Sequence, residues 1–119
     1  MSDRACASSP DARAAGWNAV CRLDAIIPDT GVCALVGGRQ VAVFRVGDQA
    51  YAIDNRDPFT GSQVLSRGLV VVRGGVLSVA SPLHKQRIAL ATGEHVDDPA
   101  VRVATWPCRV RDGVIEVLG

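Results

Sequence analysis

Two proline-containing segments hold the side chains of this sequence that are best suited to chemistry. Residues 54–61 run Asp-Asn-Arg-Asp-Pro-Phe-Thr-Gly, and residues 81–86 run Ser-Pro-Leu-His-Lys-Gln. Each segment follows an apolar run, and loops at one end of a small β-domain commonly carry its function. Their Asp, Ser, His and Lys side chains could in principle ligate a metal, catalyse a reaction or contact a partner protein.

Neither nucleophilic catalysis nor a cysteine metal site is indicated. Ser66 and Ser81 have no His–Asp arrangement near them in the sequence, so nothing would activate their hydroxyl groups. The four cysteines, at positions 6, 21, 33 and 108, form no Cys-x-x-Cys pair, the spacing typical of structural metal sites. We expect reduced thiols, mostly buried in the sheet.

The elements that position these segments are predicted to be short antiparallel strands. Two-residue turns that favour positive φ separate valine-rich runs at Gly37-Gly38, Gly47-Asp48, Gly74-Gly75 and Asp112-Gly113. We predict a strand over 17–20, a three-stranded meander over 32–53, and hairpins over 69–80 and 109–117. Short helical turns are expected at 23–27 and near 64–66. This pattern favours an all-β sandwich or barrel.

Length, composition and charge narrow the class of protein. The 119 residues suit one domain with a mainly aliphatic core, since 48% of residues are hydrophobic and only 4% aromatic. Residues 1–15 are polar and aperiodic, so we predict a disordered tail followed by a domain over 16–119. The net charge of +1 without a basic run argues against nucleic-acid binding. With no membrane-spanning run or signal peptide, a cytoplasmic location without a membrane partner is expected.

The two loop segments resemble the cluster-binding loops of the Rieske family of iron–sulfur domains. In that family one loop reads Cys-x-His and the other Cys-x-x-His, and these four side chains hold the two irons. Here Asp57, Phe59 and Ser81 stand at three of the ligand positions, and only His84 matches. The resemblance implies a Rieske-like antiparallel β sandwich or barrel with a small loop-bearing subdomain and no iron–sulfur cluster.

A narrower resemblance is to the small subunits of bacterial NAD(P)H-dependent assimilatory nitrite reductases. It rests on both loops, on Leu65-Ser66-Arg67-Gly68 and on Thr92-Gly93-Glu94, and it covers residues 16–117. His95 departs from it, standing where a cysteine is common. The resemblance implies a large-subunit partner that carries FAD, a 4Fe-4S cluster and sirohaem and reduces nitrite to ammonium. This chain would carry no cofactor and would be a non-catalytic accessory subunit.

We hypothesise that the loops over residues 54–61 and 81–87 face this partner. We expect the docking surface to comprise Asp57, Phe59, His84, Lys85 and Gln86. Structural alternatives remain open: Asp57 could cap a turn, Phe59 could fill the space of the lost cluster, and His84 and Lys85 could simply be solvated. Two other functions are also open, namely an electron-carrying ferredoxin, which would need all four ligands, and a cluster-free module of another reductase or oxygenase.

Overall fold

The chain folds into short antiparallel strands. The computed structural model describes residues 16–83 and 85–119, so the predicted tail over 1–15 and His84 lie outside the described residues. The strands are β1 Trp17–Arg22, β2 Gly31–Val36, β3 Arg39–Val46, β4 Gln49–Asp54, β5 Leu69–Arg73, β6 Val76–Ala80, β7 Arg87–Ala89, β8 Glu94–His95, β9 Asp98–Arg102, β10 Thr105–Trp106, β11 Cys108–Arg111 and β12 Val114–Leu118, with 3-10 turns at Leu23–Ala25 and Leu65–Arg67. No helix in this part of the chain is long and apolar enough to cross a membrane.

Three sheets form the domain, and one of them lies between the other two. The orders are β1-β12-β11, β10-β4-β3-β2 and β5-β6-β7-β8-β9. Val41 and Val43 of β3 pack in one apolar core with the first sheet. Ala42 and Phe44 of the same strand pack in a second core with the third sheet. Because both faces of β3 are covered, Val41–Phe44 are fully buried, and the predicted all-β architecture of antiparallel strands is confirmed.

Local turn chemistry explains why the predicted hairpins form. Both residues of Gly37-Gly38, Gly74-Gly75 and Asp112-Gly113 have positive φ, as a type I′ turn requires. In Gly47-Asp48 only the glycine does. These turns set the regular registers of β2 with β3, β3 with β4, β5 with β6 and β11 with β12.

Four strands were not predicted from the sequence. They are β7, β8, β9 and β10, of three, two, five and two residues. Segments this short carry little alternation of apolar and polar residues, and β9 also contains Pro99, which normally argues against a strand. Their pairing depends on the neighbouring strand, so it becomes visible only in the assembled sheet.

The cysteines differ partly from expectation. No disulfide joins the three described cysteines, and Cys33 is exposed rather than buried. Burial, with a smaller contribution from nearby Cys21, raises the pKa of the Cys108 thiol to about 12. Burial also raises the pKa of the Cys33 thiol, but that thiol remains open to solvent.

We expect Cys108 to be alkylated far more slowly than Cys33 in the native protein at pH 8. The thiolate is the reactive species, and a pKa near 12 leaves a thiolate fraction on the order of 10⁻⁴ at that pH. Its rate should rise about tenfold per pH unit above pH 8. Peptide mapping after timed iodoacetamide treatment measures both rates, and unfolding in urea should equalise them. Equal rates in the native protein would contradict this assignment.

Candidate functional site

The two loops predicted to carry function lie side by side. The first loop, residues 55–64, follows β4, and the second loop, residues 81–86, joins β6 to β7. The Ser81 hydroxyl donates a buried hydrogen bond to the Asp57 carboxylate. These residues occupy the two cysteine positions of the Rieske pattern, so a direct side-chain contact links the loops where a cluster would otherwise join them.

Asp57 is the structural centre of the first loop. Its Oδ1 accepts hydrogen bonds from the backbone N–H groups of Phe59, at 2.8 Å, and Thr60, at 3.3 Å. The backbone also closes on itself, since Gly61 N–H donates to the Asp57 carbonyl at 2.8 Å. The side chain is fully buried. Asp57 therefore caps the turn and contributes to any docking surface by shaping the loop, not by touching a partner directly.

Asn55 anchors the first loop to the rest of the domain. Its side chain is buried, donates to Gln40 Oε1 at 3.3 Å, and accepts from the Ser66 backbone N–H at 2.7 Å. Its backbone carbonyl accepts from Leu65 N–H at 2.9 Å. Through these bonds the loop is held to β3 on one side and to the second 3-10 turn on the other.

The second loop is closed by its own backbone. Ser81 N–H donates to the Gln86 carbonyl at 2.8 Å, and Lys85 N–H donates to the Ser81 carbonyl at 2.9 Å. This tight closure holds Lys85 at φ +58°, a left-handed conformation uncommon for a residue with a side chain. Lys85 is exposed at the loop tip, as expected for a contact residue and equally for a solvated lysine.

A histidine outside both loops connects them. His95 on β8 is 6% exposed, and its Nε2 lies 2.7 Å from Gln86 Oε1 of the second loop. The Phe59 ring of the first loop meets the His95 ring edge-on, with 4.9 Å between centroids. His95 Nδ1 is buried and has no hydrogen-bond partner among the described residues. In the sequence, His95 stood out only because a cysteine is common at its position. That difference gave no indication that His95 contacts either loop.

The tips of the linked loops expose apolar side chains. Phe59 is 44% exposed and Leu83 is 46% exposed, so the alternative that Phe59 fills a buried cluster space is wrong. Leu83 was not among the predicted docking residues, because a single leucine in a polar segment carries no sequence signal. We call Phe59, Leu83 and Lys85 the loop-tip surface.

Comparisons with known proteins place the chain in a family. Residues 16–118 match the Rieske-like [2Fe-2S] domain. The chain is 50% identical over 105 residues to the nitrite reductase (NADH) small subunit of Escherichia coli, covering 87% of this chain and 97% of the relative. The solution structure of the Escherichia coli protein NirD superposes with a TM-score of 0.80 at 50% identity, covering 87% of this chain and 96% of that one.

A third relative has a different organisation. The nitrite reductase [NAD(P)H] large subunit of Klebsiella oxytoca is 48% identical to this chain over 101 residues. The match covers 85% of this chain but only 11% of that protein. In that protein a domain similar to this chain is therefore part of the large-subunit polypeptide.

The side chains at the cluster positions do not fit the iron–sulfur group that the family description implies. The Asp57 carboxylate is occupied by one hydroxyl and two backbone N–H groups. Phe59 has no lone pair to offer, and a serine hydroxyl is a poor substitute for the thiolate that iron requires. No cluster of three or more His, Cys, Asp or Glu side chains suited to a metal ion occurs in the described part of the chain.

The fold, the loops and the similarity over nearly the whole domain together show that this chain belongs to the Rieske-like domain family and, within it, to the nitrite reductase small subunits.

Proposed function

We propose that this chain is the small accessory subunit of an assimilatory NAD(P)H-dependent nitrite reductase. In this proposal it docks through the loop-tip surface on a large subunit that carries FAD, a 4Fe-4S cluster and sirohaem. The large subunit moves electrons from NAD(P)H to nitrite, and this chain stabilises or orients it without carrying an electron itself. The observation on which the proposal chiefly rests is the buried Asp57–Ser81 hydrogen bond at the two positions that cysteines occupy in the Rieske pattern.

That hydrogen bond supports a docking role over a redox role. Electron-carrying members of the fold need thiolate and imidazole ligands on these two loops. Here the loops keep their pairing, but the pairing is made by a carboxylate and a hydroxyl. The domain thus has the paired, exposed loop tips of the fold without its iron ligands. This is expected if the domain provides a docking surface and does not transfer electrons.

The organisation of the Klebsiella oxytoca relative supports a large-subunit partner. A domain 48% identical to this chain is covalently part of that protein. Joining two domains in one polypeptide raises their effective concentration to the millimolar range, which favours contacts that separate chains make by binding. A separate chain has no such covalent link, so its docking surface must itself bind the large subunit with enough affinity to form the contact.

The loop-tip surface has the chemistry of a small protein-binding patch. Two partly exposed apolar side chains, Phe59 and Leu83, accompany the exposed cation of Lys85. Apolar anchors within a polar rim are the common arrangement of binding hot spots. The complementary site on the partner should be an apolar depression with a carboxylate at its edge.

The first experiment is co-expression of this chain with a sirohaem-containing large subunit from the same genome. NAD(P)H-dependent nitrite reduction is then measured with and without this chain, and the complex is assayed by co-purification. Activity or stability that depends on this chain supports the proposal. A large subunit that binds nothing and works equally well alone refutes it and directs the search to other reductases or oxygenases.

Substitution of the loop tips should weaken the complex without unfolding this subunit. We expect Phe59→Ala, Leu83→Ala and Lys85→Glu each to raise the dissociation constant for the large subunit about tenfold, which corresponds to about 1.4 kcal/mol. Isothermal calorimetry or quantitative co-purification measures this change.

Matched controls lie on strands, outside the two loops. Leu35 is 75% exposed on β2, and Arg111 is exposed at the end of β11. Leu35→Ala and Arg111→Glu should therefore leave the affinity unchanged. Equal effects of the loop-tip and control variants would show that another surface docks the partner.

A further inference from the structure

Strand β5 forms an open edge of the five-stranded sheet. It pairs with β6 on one side, in the order β5-β6-β7-β8-β9. The two-residue turn makes Arg73 and Val76 a hydrogen-bonded pair, so Val70 and Val72 direct their backbone N–H and C=O groups away from β6. These groups have no hydrogen-bond partner among the described residues. The edge therefore offers two donors and two acceptors to another strand.

The opposite edge of the same sheet is protected. Strand β9 contains Asp98, Pro99 and Arg102, and the pairing before it shifts register between Glu94 and His95. Charges, proline and irregular pairing are the usual means of blocking strand addition at an edge. Strand β5 has none of these over residues 69–72, which read Leu-Val-Val-Val, and its register with β6 is regular.

The side chains of this edge are also unusually exposed for their type. Leu69 is 73% exposed and Val72 is 69% exposed. They lie on opposite faces of the strand, because residues an odd number apart alternate between faces. A strand added at this edge would cover apolar side chains on both faces.

We propose that β5 is a self-association edge, at which a second copy of this chain adds its own β5 antiparallel to form a continuous sheet through both copies. The pairing is centred on Val71 of each copy. Val70 then lies opposite Val72 of the second copy, and Val72 lies opposite Val70 of the second copy. These are the residues whose backbone groups point outward. Each such pair exchanges two hydrogen bonds, so the edge is complementary to itself in this register.

The positions of the charges and the pairing of the side chains also favour a second copy of this chain at the β5 edge. In this register the Arg73 side chain lies opposite Leu69 of the second copy, where its aliphatic stem can pack. The two Arg73 side chains are offset by four residues, about 14 Å at about 3.4 Å per residue, which exceeds the screening length of about 8 Å. The remaining cross-strand pairs are valine with valine, which are favourable on a pleated surface.

The contact is short, which sets its strength. A pair of five-residue strands buries much less than the roughly 1,200 Å² of a stable standard interface. We therefore expect a weak, concentration-dependent dimer with a dissociation constant in the micromolar to millimolar range. The proposal uses a surface other than the loop tips and does not rest on the partner assignment.

Sedimentation velocity of the full chain over a range of concentrations tests the dimer. Val72→Lys, at an exposed position, should raise the dimer dissociation constant at least tenfold. Val72→Pro should do the same, because it removes only an outward N–H and leaves the bonds to β6 intact. Leu35→Lys, which also places a lysine at an exposed apolar position but on β2, is the control and should change nothing. A monomer at all concentrations, or a dimer insensitive to both Val72 variants, overturns the proposal.

Disulfide trapping tests the register. Opposed residues in a non-hydrogen-bonded antiparallel pair have Cα atoms about 4.5 Å apart, within the range that a disulfide spans. Val71→Cys should therefore cross-link two copies through position 71, as identified by mass spectrometry of the linked peptide. Leu69→Cys should not, since those positions are about 14 Å apart in this register. Cross-linking at 69 and not at 71 would overturn the register, and failure at both would overturn the pairing.

Discussion

Replacing Asp57 by alanine is expected to lower the free energy of unfolding by about 3 kcal/mol and to separate the two loops. The carboxylate accepts hydrogen bonds from the Ser81 hydroxyl and from the backbone N–H groups of Phe59 and Thr60. Asp57 is fully buried, so water does not replace these bonds without rearrangement. Hydrogen bonds to a charged group contribute about 1.5–3 kcal/mol, and unsatisfied buried donors add to the cost.

A double-mutant cycle separates the link between the loops from the turn cap. Urea unfolding of Asp57→Ala, Ser81→Ala and the double variant gives the coupling between the two side chains. We expect a coupling of at least about 1 kcal/mol, with Ser81→Ala alone costing about 1–2 kcal/mol. Strictly additive effects would show that the Asp57–Ser81 bond contributes nothing to joining the loops. Asp57→Asn, which keeps an acceptor for the turn, should fall between alanine and the native residue.

Replacing Gly93 by alanine should be at least as damaging, for a steric reason. Gly93 has φ +77°, and a methyl group there would overlap the carbonyl oxygen of Val103 and lie 2.9 Å from Thr105 Cγ2. The backbone oxygen has little freedom to move, because the Val103 N–H donates to the Gly93 carbonyl at 2.8 Å. We expect a loss of about 3 kcal/mol or more, the sum of left-handed strain and overpacking.

Gly38 supplies a closely matched control. It has φ +83° but nothing within 4 Å of an added methyl group. Gly38→Ala should therefore cost only the strain of the left-handed conformation, about 1 kcal/mol. Thermal or urea unfolding of both variants isolates the close approach of the Gly93 and Val103 backbones. Equal losses would mean that the contact with Val103 relaxes without cost.

Much of the fold follows from local sequence. The turns at Gly37-Gly38, Gly74-Gly75 and Asp112-Gly113 combine residues that tolerate positive φ with flanking β-branched runs, so each hairpin is specified by neighbouring residues. The short strands β7 to β10 lack such signals. They exist because neighbouring strands present hydrogen-bonding edges: β6 to β7, β7 to β8, β8 to β9 and β4 to β10. This is a property of the assembled sheets.

Some features of the candidate site can likewise be read from the sequence, and others cannot. The two loops, their proline residues and the absence of three Rieske ligands are visible in the sequence. The burial of Asp57 and the exposure of Phe59 and Leu83 are not, because residue type alone favours the opposite assignment in each case. The contact of His95 with both loops joins residues from separate segments of the chain, and a single sequence records no such distance.

By itself, the sequence determined the hairpins at the glycine-containing turns and showed that three of the four Rieske ligands are absent, because these features depend on residue type and on neighbours in the chain. Only the tertiary structure decided that Asp57 and Ser81 join the loops, that Phe59 and Leu83 remain at the surface, and that β5 is an open edge. Those features depend on which distant segments cover one another. Burial and hydrogen bonding between such segments are set by the packing of three sheets on two cores.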